Sequence, residues 1–396
     1  MKFITPARRK IMLLPGHIGR GGEGAVFPVA GEPDLVAKIY HHPTNEHRAK
    51  IEFMVAHPPP RPNGRIWTTW PSDLLYTTGP RPTFAGFTMP RLKSAQQIFI
   101  CYNQTTRQKV CPNFDYRHLV HAGRNLAAAF GLAHKHQLVI GDANESNIFI
   151  GNDALTIIID SDSWQITDAS SRRVYRSAFA KPDFLPPELQ GRNLSKLNRQ
   201  PWHDNFALGV LLFKLVNEGC HPCDGVFHGR GDVPPLEARI AAGTFPYFDS
   251  SGMWSPKPSA VPFDSLHPRL QELFVQTFVS GHSNPQARPD AATWQRAFSV
   301  AERELQRCHR NSNHWFWGND CIWCQRKALL GGRDPFPDEK PKARTMTPRT
   351  ARAASSRQAT WSSPSPSPSP SSRKAPDGLF TRALIAAGEF VSRLFP

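Results

Sequence analysis

An α+β fold in two lobes, a β-rich one first and a larger helical one second, is what the sequence predicts. Up to about Leu92 the chain is Gly-rich with short apolar runs of β type. Beyond it apolar positions recur at helical period, as in Arg117 to His136 and Asp204 to Glu218. No internal repeat interrupts that order. A further observation sets the end of the folded body. Ser362 to Ser372 reads SSPSPSPSPSS, a composition that cannot bury enough apolar surface to offset its ordering entropy. The expected organisation is therefore lobes at residues 10–92 and 93–305, a small cysteine-bearing unit at 306–330, a disordered basic Pro/Ser-rich linker at 331–376 and a terminal helix at 377–396.

Composition excludes several classes. With 396 residues and 39% apolar content there is enough material for a real core, so a wholly disordered chain is excluded. Seven irregularly spread cysteines do not make a disulfide scaffold, and no leader-like apolar segment opens the chain, which points to a reducing, cytoplasmic compartment. No stretch approaches the roughly 20 apolar residues that cross a bilayer. The formal charge is +16, yet the stretch from Gln325 onward holds thirteen basic and five acidic residues, half of that excess. The body carries no concentrated basic stripe with interleaved aromatics, so nucleic acid is not an expected partner.

The first lobe opens on Gly19-Arg20-Gly21-Gly22-Glu23-Gly24-Ala25-Val26, the pattern G-x-G-x-x-G-x-V, in which glycines let backbone amides approach a polyphosphate. A dinucleotide site would need a helix next, whereas Ala25 to Val29 is β-like and Pro28 opposes a helix. A strand, glycine loop and strand is favoured over the dinucleotide site, while the motif taken alone leaves a plain Gly-rich β-turn as the stronger alternative. Fourteen residues after Gly24, Lys38 sits inside the apolar run Leu35-Val36-Ala37-Lys38-Ile39-Tyr40. An unpaired ammonium there would be costly to bury, so an anionic partner is expected, a phosphate group if a nucleotide lies under the loop. An exposed edge lysine is the alternative.

In the second lobe two apolar β segments each deliver polar residues at one end: Val139 to Ile150, containing Asp142 and Asn147, and Leu155 to Trp164, containing Asp160 and Asp162. Asn147 follows Asp142 by five residues and Asp160 follows Asn147 by thirteen. That spacing brings a base and two oxygen ligands around one divalent ion, and Mg²⁺ prefers such donors together with phosphate.

In this order the residues resemble the protein-kinase fold family over roughly residues 10–305. The resemblance matches Gly19, Gly21, Gly24 and Val26 to the glycine loop that covers ATP, and Lys38 to the phosphate-pairing lysine. It likewise matches Asp142 to the catalytic aspartate, and Asn147 and Asp160 to the ligands of Mg²⁺ or Mn²⁺. Leu185-Pro186-Pro187-Glu188 looks like the family's A-P-E element, Asp204 like the anchor of the catalytic loop, and Arg288 like the partner of Glu188. These three landmarks favour protein kinases over small-molecule kinases of the same core. The departures are specific. Ile140-Gly141 stands where the family has His-Arg, which argues against a phosphate-read activation loop. Asn144 stands where a γ-phosphate lysine is usual, and Asp160-Ser161-Asp162 replaces D-F-G. Asp162 is left with two readings, a second metal ligand or a reshaped turn. Glu46 and Glu52 are both available to pair with Lys38, and spacing does not choose between them.

Beyond the second lobe, Cys308, His314, Cys321 and Cys324 form C-x5-H-x6-C-x2-C, and the C-x2-C pair has the knuckle spacing that lets two thiolates grip one structural Zn²⁺. His309 is a weaker alternative ligand beside Cys308. A metal would explain how about 20 residues rich in Trp and polar groups fold. Cys220-His221-Pro222-Cys223 is a second C-x2-C, read as packing because no further ligand pair lies nearby.

After the linker, Leu379, Phe380, Ala383, Leu384, Ala387, Phe390, Val391 and Leu394 share one helical face opposite Arg382, Glu389 and Arg393. Such an amphipathic helix docks on the body or on a partner protein, with peripheral membrane contact the alternative. The tail's Thr345, Thr347, Ser355, Ser356 and Ser-Pro run lie among arginines, as autophosphorylation sites would. Taken together, the chain resembles bacterial Ser/Thr kinases with a C-terminal zinc knuckle that accompany PP2C-type phosphatases and von Willebrand-type proteins in tellurium-resistance-associated operons. That resemblance implies ATP and Mg²⁺ as cofactors, a protein substrate of the von Willebrand type and the phosphatase as antagonist. A pseudokinase scaffold that binds nucleotide and recruits partners through knuckle and tail is the rival class, motivated by Asn144 and Ser161.

Overall fold

The computed structural model describes residues 1–338. The terminal helix expected at 377–396, the tail phosphorylation sites and most of the linker lie outside the described residues.

The first lobe is one antiparallel sheet. Its strands are β1 (Lys2–Ile4), β2 (Lys10–Met12), β3 (Gly19–Arg20), β4 (Gly24–Val29), β5 (Glu32–Tyr40), β6 (Asp73–Thr77) and β7 (Phe84–Pro90), in the order β2-β1-β6-β7-β5-β4-β3. Between β5 and β6 runs helix α1 (Asn45–Ala56), capped by Thr44, whose hydroxyl accepts from the His47 amide. One face of the sheet closes a small cluster of Phe3, Ile11, Leu13, Val29, Ala37, Leu75 and Ala85. The other, with Tyr40, Leu74 and Phe87, joins the main core together with Ile51 and Met54 of α1. Two glycines are required by that packing. A Cβ on Gly86 would lie 2.0 Å from the Lys38 carbonyl oxygen, and one on Gly24 would lie 2.5 Å from that of Ile39. Gly24 therefore serves the close approach of β4 to β5, whereas Gly21 and Gly22 have open space around them.

The second lobe begins with β8 (Ala95–Gln97), α2 (Ile98–Tyr102) and α3 (Gln104–Val110). Then comes α4 (Tyr116–Lys135), whose start is fixed by Asp115 and His118 satisfying each other's backbone amides. Strands β9 (Ile148–Gly151) and β10 (Thr156–Ile158) pair with each other, and β8 joins β9. The hairpin β11 (Ile166–Asp168) and β12 (Arg173–Tyr175) follows. Helix α5 (Pro201–Val216) starts on a proline and is buried almost all round, as its continuous apolar run from Phe206 to Val216 demands.

Hairpin β13 (Val226–Phe227) with β14 (Trp254–Ser255) brackets α6 (Leu236–Ala241). Helix α7 (Pro268–Val275) continues through one wide turn, Gln276–Ser280, into α8 (Gly281–Ser283), and α9 (Ala291–Arg303) packs along α4. Gly123 makes that packing feasible: a Cβ there would lie 2.5 Å from the Phe298 ring. The last described elements are β15 (Gln306–Arg307), β16 (Trp315–Phe316) and α10 (Ile322–Leu329). No helix among the described residues is long and apolar enough to cross a membrane.

The body stays packed past Gly331-Gly332, where the composition marks the start of the linker. Phe336 is 2% exposed under the Arg107 guanidinium, and Arg107 Nη2 donates to the Pro335 carbonyl at 2.9 Å. Low-complexity composition marks the Ser-Pro run well, but a single aromatic anchor with side-chain bonds to its backbone leaves no compositional trace.

Arg288, 3% exposed, holds Glu188 bidentately at 2.6 and 2.7 Å and donates to the Trp202 carbonyl. Removing Glu188 would strand that guanidinium. Glu188→Ala is expected to lower unfolding free energy by about 3–5 kcal/mol, whereas Glu188→Leu with Arg288→Met recovers most of it. Urea unfolding of both variants checks this.

Candidate active site

Strand register places Lys38 between Val26 of β4 and Phe87 of β7, so its stem is packed and its ammonium points into the cleft between the lobes. Apolar walls there come from Ile18, Val26 and Val36 on one side and Met89, Phe149 and Ile159 on the other. That lining suits a flat aromatic ligand with a polar end at Lys38 and Asp160. The glycine turn closes over the mouth through the Gly21 amide bonding the Gly24 carbonyl, with Gly19 on β3.

Neither Glu46 nor Glu52 pairs with Lys38. Glu46 is exposed in the first turn of α1, and Glu52 faces Tyr76 and Arg48. The partners are Asp160, at 2.6 Å, and Asp162, whose two oxygens lie 2.9 and 2.8 Å from Nζ. Tyr40 Oη also donates to Asp162, at 2.8 Å. Of the two sequence readings of Asp162, neither describes this role: it is buried, and it orients the lysine. Burial by itself would lower the Lys38 ammonium, but the charges of Asp162 and Asp160 outweigh it and hold the group above its ordinary value. Burial opposes ionisation of Asp162 too, yet Lys38 and Tyr40 hold it below the usual carboxylate range. The Asp160 carboxyl is pushed up by burial and only partly compensated by Lys38.

Asp160 adopts the left-handed conformation at φ 62°, which costs strain in a non-glycine residue. Its carbonyl accepts from the Ser163 amide and hydroxyl, and Ser161 Oγ anchors to the Thr69 carbonyl at 2.9 Å, locking the turn to the first lobe. The β9–β10 pairing then sets Asn147 beside this turn, since the Ile159 amide donates to the Asn147 carbonyl. Asn147 Nδ2 in turn donates to the Asp142 carbonyl at 3.1 Å and approaches Oδ2 at 3.4 Å. Asn144 Nδ2 donates to Asp142 Oδ1 at 2.9 Å, and the Lys181 amide donates to the same oxygen at 3.1 Å. The Lys181 ammonium meets Ser146 Oγ. Lys38 and Asp160 thus line the cleft, and hydrogen bonds carry the chain of contacts on from the Asp160 turn through Asn147 to Asp142.

Below the loop, Asp204 accepts from the Ile140 and Gly141 amides at 2.7 and 2.9 Å and bonds the His134 ring, the anchor its position implies. Arg199 is a residue that sequence reasoning missed. Buried, it donates to the carbonyls of Gly141, Ser177 and Phe179, joining the loop that carries Asp142 to the segment beyond β12. Gly141 has φ 73°, and a Cβ there would meet Ser177 and Arg199, so the glycine makes room for this tether. Its acceptors are backbone carbonyls, which no side-chain pattern announces.

The second predicted site also assembles. Cys308, His314, Cys321 and Cys324 place one ligand atom each within 4.8 Å of one another. His314 Nδ1 lies 3.5 Å from both Cys321 and Cys324 sulfurs, and Cys308 Sγ lies 3.7 Å from Cys324 Sγ. Tetrahedral zinc with ordinary bond lengths has edges of about 3.6 Å for S···N and about 3.8 Å for S···S. The set is compatible with a structural zinc. His314 Nε2 is held at 2.7 Å by Asp334 Oδ1, which leaves Nδ1 as the ligand atom. Asp334 lies in the stretch 331–376 whose composition reads as linker, yet here it packs on the cluster. Cys223, by contrast, is buried with its thiol pushed up to about 12 by burial, and Cys220 meets the Tyr247 hydroxyl.

Fold and site together define the class: a two-lobed, protein-kinase-like architecture with a Cys/His cluster on its second lobe. In comparison with known proteins, the chain is 31% identical over 331 residues to protein kinase YegI of Escherichia coli O157:H7. It is 30% identical over 325 residues to protein kinase YegI of Escherichia coli strain K12. These alignments take in 81% and 80% of this chain but 48% and 49% of those proteins, so the chain spans about half the length of the curated relatives it matches. No family model matches the chain.

Elemental analysis of the purified protein is expected to find one zinc per chain, lost in Cys321→Ser. Asp334→Asn should keep the ligands but weaken zinc about 10–100-fold in chelator competition.

Proposed function

We propose that the protein is a Ser/Thr protein kinase that transfers the γ-phosphoryl group of ATP to a protein hydroxyl. The observation that carries this reading is an apolar-walled cleft with Lys38 and Asp160 at its polar end, next to a loop on which Asn147, bonded to the strand that leads into Asp160, holds Asp142. The names of the curated relatives agree with it. In this reading the base and ribose occupy the cleft, backbone amides of Gly21 to Gly24 face the phosphates, and Lys38 positions them. Asn147 and Asp160 would hold Mg²⁺, which when bound neutralises charge on the phosphates. Asp142 orients the acceptor hydroxyl and takes its proton. Asn144, Asn147 and the Lys181 backbone amide fix the Asp142 carboxylate, and the Lys181 ammonium meets Ser146 on the same loop. Catalysis then comes from positioning and charge neutralisation rather than covalent chemistry.

The Arg199 tether bears on regulation. Because it holds the segment at Ser177–Phe179 through main-chain carbonyls, that segment reaches its place without a phosphate to recruit it. Activity without prior phosphorylation of the segment follows. By resemblance, the substrate class is a von Willebrand-type protein and the antagonist a PP2C-type phosphatase.

The test is transfer of labelled γ-phosphate from ATP, with Mg²⁺ or Mn²⁺, to the protein itself and to a generic acceptor. Wild type is expected to transfer, Asp160→Ala to be inactive while folded, and Asp142→Asn to lose at least about 100-fold, the scale of general-base contributions. Nucleotide binding with no transfer by the wild type would replace the kinase reading with the scaffold one.

A further inference from the structure

The segment that leads away from the β11–β12 hairpin carries charge that the catalytic scheme above does not use. From Ala169 to Pro182 it holds Arg172, Arg173, Arg176 and Lys181 and no acidic residue, and these four side chains are exposed. Hydrogen bonds hold its end against the loop that carries Asp142. Arg199 donates to the carbonyls of Gly141, Ser177 and Phe179, and the Lys181 amide donates to Asp142 Oδ1 at 3.1 Å. Arg176 Nε donates to Asn198 Oδ1 at 2.8 Å, which fixes its guanidinium beside the same tether.

Beyond Lys181 the chain folds on itself. Leu185, Leu189 and Leu194, with Ala180 and Leu197, close a small core of their own, and Arg192 and Lys196 stand exposed on it. Two nearby carboxylates are taken, Glu188 by Arg288 and Glu145 by the Lys214 ammonium, each at 2.6 Å. Asp183 is the exposed exception. Phe179 adds an apolar element: its side chain is 65% exposed although its carbonyl is bonded to Arg199, two residues before the amide that bonds Asp142. A single exposed aromatic is ordinary in itself. This one is held rigid next to Asp142, among cations.

We propose that this surface selects the acceptor. The hydroxyl belongs to a protein segment with acidic residues around it and an apolar residue next to it, the acids facing Arg176, Lys181 and their neighbours and the apolar side chain facing Phe179. The proposal deepens the kinase reading and rests on it. In the transfer the acceptor oxygen forms the new bond to the γ-phosphorus and its proton passes to Asp142, while the bond from that phosphorus to the bridging oxygen breaks and releases ADP. The surface cations take no part in that step; they hold the acceptor chain in place while it occurs. Each exposed ion pair is worth up to about fivefold and is screened by salt, so several together set a preference that fades as ionic strength rises. The same field disfavours the chain's own tail as an acceptor, since Thr345, Thr347, Ser355 and Ser356 lie among arginines.

Transfer of labelled γ-phosphate by the full chain to synthetic peptides tests it. Each peptide has one serine followed by leucine, with flanks of glutamate, glutamine or lysine. The glutamate peptide is expected to exceed the glutamine peptide at least about tenfold in kcat/KM and the lysine peptide by more, with the gap narrowing between about 50 and about 300 mM salt. In Arg176→Glu the glutamate-to-glutamine ratio should fall at least about fivefold, and Arg176→Lys should restore most of it. Replacing the leucine by glycine should cost wild type more than it costs Phe179→Ala. Equal kcat/KM for the three peptides overturns the proposal, as does a preference for lysine flanks. A ratio unchanged in Arg176→Glu overturns it too, as does transfer by the protein to itself with none to the glutamate peptide. Absence of transfer to any acceptor, itself included, sinks the kinase reading instead, and this proposal with it.

Discussion

A lysine ammonium buried between two carboxylates is the interaction on which the rest of the site depends. Lys38 comes from the middle of a sheet in the first lobe, while Asp160 and Asp162 come from a turn in the second, 122 and 124 residues later in the chain. The pair is a joint between lobes as well as a piece of chemistry. Breaking it would leave Lys38 or Asp162 charged and dry, so the lobes are held in register by the cost of separating them. The strain of Asp160 in the left-handed region is sustained by the same turn, through Ser161 on Thr69 and Ser163 on the Asp160 carbonyl.

A second set of constraints fixes the loop opposite. Asp204, at the start of a helix buried almost all round, takes the Ile140 and Gly141 amides, and Arg199 takes the Gly141 carbonyl. Backbone groups on both sides of position 141 are thereby committed, and Asp142 follows with little freedom. Position 141 is a glycine, position 144 an asparagine, and the α1 glutamates do not pair with Lys38. The charges that do contact this region come from other elements: Arg199 on the Gly141 carbonyl, Lys181 on Ser146 and Asp162 on Lys38.

The same contacts show what was legible in the sequence. The α+β two-lobed fold could be read from the change of period along the chain, and Lys38, Asp142, Asn147 and Asp160 could be picked out as candidates because each sits at a short, fixed distance from a glycine loop or within one β-turn-β unit. The Cys/His cluster was legible for the same reason: a two-residue knuckle spacing is local geometry. The partner of Lys38 was not, since helical spacing says which side chains share a face of α1 and not which carboxylate crosses from another lobe. Arg199 and Asp334 escaped notice because their contacts run to main-chain atoms or to a histidine about 20 residues away. The packing of Phe336 was hidden by the polar residues that surround it in sequence.

The central claim is that Asp162, and not a glutamate of α1, holds Lys38 in the cleft. ATP affinity of Asp162→Asn set beside that of the double variant Glu46→Gln/Glu52→Gln measures it directly. The account predicts at least about a tenfold loss for Asp162→Asn, from a Lys38 left with Asp160 as its only charged partner and so misplaced, and affinity within about twofold of wild type for the double variant. Full affinity in Asp162→Asn together with loss in the double variant would contradict it.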